Sequence, residues 1–203
     1  MVNLQKTVLM IQVSEHQESI WYAALTSQKI SVLRESSNAD LQQIIAQARD
    51  VGKLPDLLLI DTGIPNLNPY IFCRSYRDQH LNLKIVLTNG RHNKVTSAER
   101  RWAIYQGAQD LLPGFQQETL LEEGVTSLNR VLKVLGCLPL EQQTLKSILL
   151  PLISSSVASA QEAIFTEQNK SYSAQKTALV SPTPEPTSQA STSLKRKGHS
   201  YRL

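Results

Sequence analysis

Residues 55–65 read PDLLLIDTGIP, and the fold turns on how this stretch is read. Leu57–Ile60 is a four-residue apolar run with Pro55 before it and a Gly/Pro turn after it. That is too short for an ordinary helix, and it has the length and breakers of a strand buried on both faces. Asp61 then stands at the carboxyl end of that strand, where open α/β sheets place their chemistry. A carboxylate there serves as nucleophile, metal ligand or turn residue. The flanking segments have to decide among the three.

Working outward, the segments alternate. Upstream, Leu41, Ile44, Ile45 and Ala48 recur at helical spacing between the cap-rich ESSNAD and Gly52. Before them, Lys29–Arg34 alternates as a strand does, and Thr7–Val13 is a first buried strand. Ser14 and Gln17 form a capping-box pattern opening a helix with Ile20, Ala23, Ala24 and Ser27 on one face. Downstream, Pro69 starts a helix through Phe72, Cys73 and Tyr76 that ends near His80. Lys84–Thr88 is a strand stopped by Asn89-Gly90. Thr96 or Ser97 caps a helix bearing Ala98, with Trp102 and Tyr105 expected to face the core, closed by Gly107. Ala108–Leu112 is a fifth strand. Leu121, Val125, Leu128, Leu132 and Leu135 define a last helix ending at Gly136. Five strands alternating with five helices imply parallel strands joined by right-handed crossovers. The expected class is α/β, a flavodoxin-like (βα)5 domain with sheet order 2-1-3-4-5 and Asp61 beside its switch point.

The charge lies at one end. The 203-residue chain has a formal net charge of +4, which the segment 166–203 carries alone. Residues 1–165 are neutral, so nucleic-acid binding is not expected of the folded body. Cys73 and Cys137 are the only cysteines, with no zinc or disulfide spacing, which fits a reducing, cytoplasmic setting. No stretch reads as a signal peptide or membrane span. No Gly-rich phosphate loop follows the first strand, which leaves a flavin or nucleotide binder without support.

Three segments together resemble the receiver domain of two-component response regulators, the fold of the chemotaxis regulator. DLLLIDTGIP resembles that family's strand, phosphoacceptor Asp and following Pro, which implies those roles for Asp61 and Pro65. KIVLTNG resembles the fourth strand with its hydroxyl, implying a phosphoryl-supporting role for Thr88. Gly107-Ala108-Gln109-Asp110-Leu111-Leu112 resembles the opening of the fifth strand. The resemblance covers residues 6–136.

The departures bear on function. The acidic pair that binds Mg²⁺ in the family falls here on Gln12 and Val13. Mg²⁺ needs hard oxygen ligands, usually carboxylates. Gln12 offers one neutral oxygen and Val13 none, and Glu15 lies two positions on, in the first turn of a helix. The family's lysine after the fifth strand falls on Gly114, with no lysine nearby, and the aromatic switch position reads Leu111. Metal and lysine supply most of the charge neutralisation in phosphoryl transfer to a carboxylate. Fast Mg²⁺-dependent self-phosphorylation is therefore not expected, and neither is a cofactor.

The first expectation is a degenerate receiver, not an enzyme, that binds partner signalling proteins, with Asp61 a slow or partner-assisted phosphoacceptor. The alternative is a fully functional receiver, phosphorylated at Asp61 by a partner histidine kinase with Gln12 or Glu15 holding Mg²⁺. The domains expected are the receiver-like body at 1–136, a helical extension at 137–165 and a tail at 166–203. The extension carries Leu145, Ile148, Leu149 and Leu152 on one stripe that Pro151 kinks or splits. It is expected to dock on the body or to pair with a second copy as a homodimer. The tail is Ser/Thr/Pro-rich with a basic end, LKRKGHSYRL, and its composition argues for disorder.

Overall fold

The computed structural model describes residues 5–78, 83–137 and 139–153. The expectations for the tail, for the extension beyond 153 and for His80 fall outside the described residues. The chain divides into two compact units, Met1–Ser159 and Ala160–Leu203, and all described residues belong to the first.

The elements follow in strict alternation: β1 (Thr7–Ile11), α1 (Glu15–Ser27), β2 (Ser31–Glu35), α2 (Leu41–Asp50), β3 (Leu57–Asp61), α3 (Pro69–Asp78), β4 (Lys84–Asn89), α4 (Ser97–Tyr105), β5 (Asp110–Pro113) and α5 (Leu120–Leu135). A further helix, α6, spans residues 142–153. The five strands form one parallel sheet of order β2-β1-β3-β4-β5, the flavodoxin-like arrangement anticipated from the alternation.

Period-two alternation divides the core between the two faces. Val8 and Met10 of β1, Leu57 and Leu59 of β3, Val86 of β4 and Leu112 of β5 face one side, against α1, α5 and α6. Leu9 and Ile11, Leu58 and Ile60, Ile85 and Leu87, and Leu111 face the other, with Ile45, Phe72 and Ala103 packed on them. The helices start where their caps are: Asp40 Oδ1 accepts from Gln43 N–H, and Thr96 and Glu99 form a reciprocal capping box. Gly136 ends α5 in the left-handed conformation at φ 77°.

Three local expectations are corrected. Ser14 does cap α1, accepting from Gln17 N–H at 3.5 Å, but the Gln17 side chain does not complete the box. It reaches across to the segment after β5, donating to Phe115 O at 2.9 Å and accepting from Phe115 N–H at 2.8 Å. The buried face of α1 includes Trp21, which stacks at a tilt on Phe115, while Ala23 is only half-buried. Trp102 and Tyr105 do not face the core: they are 53% and 69% exposed. At 100° per residue, Ala103 is the position of α4 that meets the sheet, and residues 102 and 105 turn away from it.

The described part of the extension packs on the body. Leu145 and Leu149 are fully buried in the α1/α5-side core, with Ile148 and Leu152 half-buried, and the helix runs through Pro151 without a break. Gly124 of α5 opens a notch for it, since a Cβ there would stand 2.9 Å from Leu149 Cδ1. Glu141 N–H donates to Gln28 Oε1, and Gln117 Nε2 donates to Ile153 O. Leu149→Ala should therefore cost about 2–5 kcal/mol, as truncation of a fully buried leucine does. Urea unfolding measures this, and wild-type stability in the variant would mean that α6 is not part of the core.

Candidate functional site

Parallel pairing builds the site. Ile11 is level with Ile60, and Asp61 is level with Thr88, so Gln12, one residue past Ile11, comes level with both. In-register side chains on neighbouring parallel strands project to the same face. Gln12, Asp61 and Thr88 therefore stand in a row at the carboxyl end of β1, β3 and β4. Thr62 N–H donates to Thr88 O at 2.8 Å and closes β3 onto β4.

Asp61 is 2% exposed. Its Oδ1 accepts from Gly63 N–H at 2.7 Å, the bond of a turn residue, and the Gly90 amide faces the same carboxylate. Burial pushes its pKa above the ordinary 3.8, while the Gly63 and Gly90 amides and the Arg91 guanidinium act against that rise. The glycine at 90 is a packing requirement, since a Cβ there would fall 2.5 Å from Asp61 Oδ2.

The positions onto which the resemblance maps the metal-binding pair, the switch residue and the lysine lie as follows. Gln12 is buried, and its Oε1 accepts from Thr88 Oγ1 at 3.2 Å, while its Nε2 has no hydrogen-bond partner. This bond links the two strands that flank β3, at the level of Asp61. Val13 is 42% exposed, and Glu15 is exposed at the first position of α1. Leu111 is buried in the core. A Cβ on Gly114 would lie 2.8 Å from Gly90 O and 2.9 Å from Asn89 O, and Gly114 N–H donates to His92 O. The loop after β4 fills the space a side chain at 114 would need. Among the described residues no group of three His, Cys, Asp or Glu is placed to hold a metal ion.

Arg91 was not singled out in the sequence. It follows Thr88-Asn89-Gly90, and its Nε and Cζ lie 3.4 and 3.6 Å from where a Cβ on Gly63 would stand, a point 3.1 Å from Asp61 Oδ1. The resemblance places the family's lysine after β5, whereas this cation enters from the β4–α4 loop.

A doubly wound five-stranded sheet with an acidic residue ending β3 and a hydroxyl level with it in β4 is the receiver fold. The CheX-CheY-BeF3-Mg²⁺ complex from Borrelia burgdorferi contains a chain similar to this one at 13% identity and a TM-score of 0.50, over 64% of this chain and 88% of that one. A response regulator from Thermotoga maritima is similar at 19% identity and a TM-score of 0.49, over 66% of this chain and 99% of that one. At such identities the likeness is one of fold. No protein-family model and no curated protein matches the chain.

Gly114→Lys should not install a working lysine. Its Cβ would meet backbone oxygens, and overpacking of that kind costs about 1–3 kcal/mol, readable as a lowered urea midpoint. Asp61→Asn should instead stabilise the fold at neutral pH. A carboxyl whose pKa is raised on folding contributes stability at low pH that is lost as pH rises through the folded value. The advantage of Asp61→Asn should thus shrink as pH falls and vanish below the ordinary value of 3.8. An advantage that does not change with pH would refute the assignment.

Proposed function

We propose that this chain is a response-regulator-like signalling protein of a two-component phosphorelay whose receiver-fold domain works mainly by binding other proteins. Asp61 is its phosphoacceptor, modified slowly or with a partner's help, and Thr88 is the hydroxyl beside it. The observation that carries this reading is the Gln12–Thr88 hydrogen bond at the level of Asp61. A neutral amide stands where the resemblance implies a metal-binding carboxylate, and it is tied to the hydroxyl.

The residues present do not fit Mg²⁺. The row at the strand ends holds one carboxylate, and the polar atom left without a partner is an amide nitrogen, which is no ligand for a hard cation. Exchanging the amide's O and N would expose one neutral oxygen, still short of a second carboxylate. The partner-binding side of the reading draws on α4, where Trp102 and Tyr105 stack with ring centroids 5.9 Å apart on an exposed face. Exposed aromatics of this kind are the usual anchors of protein interfaces.

The test is an NMR titration with Mg²⁺ and beryllofluoride. Wild-type amides of Thr62, Thr88 and Gly90 should show no saturable Mg²⁺-dependent shift up to millimolar metal, while a Gln12→Asp/Val13→Asp double variant should gain one. Saturable shifts in wild type that Asp61→Asn abolishes would instead establish the fully functional receiver.

A further inference from the structure

The Asp61 site has a cation from a direction that the fold's sequence pattern does not announce. We propose that Arg91, reaching in from the β4–α4 loop, is the charge partner of a phosphoryl group on Asp61 and lets this site accept one without a divalent metal. The inference rests on the phosphoacceptor reading of Asp61 and adds to it the residue that neutralises the charge.

The geometry is specific to this loop. Both groups neighbour Gly63: the point where its Cβ would stand is 3.1 Å from Asp61 Oδ1 and 3.4 Å from Arg91 Nε. Carboxylate and guanidinium thus flank one side-chain-free backbone position. The loop that carries Arg91 is pinned on both sides. Gly90 packs on Asp61 Oδ2 and Gly114 packs on Asn89 O and Gly90 O, while Gly114 N–H donates to His92 O and His92 N–H donates to Asn89 O. The same packing that closes the space at Gly114 fixes the residue preceding Arg91. Arg91 also acts as a cation on the Asp61 carboxylate, opposing the rise in its pKa.

The chemistry balances with a small acyl phosphate as donor. An Asp61 carboxylate oxygen attacks phosphorus, the bond from phosphorus to the acyl oxygen breaks, and acetate leaves with the electron pair of that bond. The three equatorial oxygens carry the charge that must be neutralised. A guanidinium presents a planar fork of donors suited to two of them, and the Gly63 and Gly90 amides add fixed dipoles at the same carboxylate. Because Arg91 is exposed, its contribution should weaken with ionic strength.

The experiment uses the full chain, acetyl phosphate as donor and intact-protein mass to count phosphoryl groups, in chelator and separately in Mg²⁺. Wild type should gain one group in chelator, more slowly at high salt, and Asp61→Asn none. Arg91→Ala should slow the gain at least tenfold, Arg91→Lys should recover part of it, and Lys94→Ala should match wild type. Modification that requires Mg²⁺, or that proceeds in chelator equally fast in Arg91→Ala, would overturn the role of Arg91 and leave Asp61 a phosphoacceptor. No modification of wild type under either condition would overturn both.

Discussion

Leu57–Ile60 are buried without remainder between β1 and β4, and the rest of the molecule depends on that burial. Each such side chain is worth about 1.5–3 kcal/mol when removed from water, and β3 cannot slip by a residue without drawing the charged Asp56 or Asp61 into an apolar layer. A fixed register in the central strand fixes the register on both sides. Gln12, Asp61 and Thr88 are brought to one level by hydrophobic packing several residues away from them. Asp61 is the first polar residue the strand reaches, and it is buried because its neighbours on the strand are. Its carboxylate is accommodated by amides of two glycine-containing turns, which is why residues 63 and 90 have no side chain.

On the proposed reading, the departures at this site support one another electrostatically. An acidic pair next to a buried Asp61 would be three like charges at the strand ends, tolerable with a divalent cation among them and costly without one. Replacing that pair by Gln12 and Val13 removes the repulsion along with the ligands. On the same reading Arg91 stands in for the lysine whose position falls on Gly114, where the Asn89 and Gly90 carbonyls leave no room for a side chain. On the proposed reading the site is internally consistent as a metal-free one, with one buried carboxylate, one neutral amide, one hydroxyl and one guanidinium.

Strand order, the position of Asp61 and the level of Thr88 were legible in the sequence, because buried runs such as LLLI and KIVLT and the breakers after them are local signals. Gln12, Val13 and Gly114 were assigned by position, from the resemblance; of these the structure brings Gln12 level with Asp61 and leaves Val13 exposed. Arg91 was not, since its place depends on how the β4–α4 loop packs on Gly114, a contact between residues distant in sequence. Gln17 was misread for the same reason: its spacing from Ser14 fits a capping box, but the backbone of Phe115, 98 residues on, offers a buried donor and acceptor together. Trp102 and Tyr105 were expected inside as a core-facing helical pair, and the phase set by Ala103 turns them outward.

That phase has a consequence for how the site is coupled to the surface. Helix α4 contributes one fully buried residue, Ala103, to the core, where α5 contributes seven. Polar contacts do much of the work of holding the α4 region instead. Arg100 and Arg130 both pair with Asp110 at the start of β5, Arg74 bonds the buried Gln106, and Arg77 donates to Tyr105 O. Losing these contacts would leave the buried Asp110 and Gln106 with fewer partners, at about 1–3 kcal/mol each, whereas moving α5 would expose several leucines at once. Of the elements next to Asp61, α4 is therefore the one with least to lose by shifting, and residues 89–96 tie it directly to the loop that carries Arg91. On the proposed reading, a charge change at Asp61 acts on Arg91, Arg91 acts on its loop, and the loop ends in the helix that displays Trp102 and Tyr105. The α1/α5 face has no comparable freedom, because α6 already covers it.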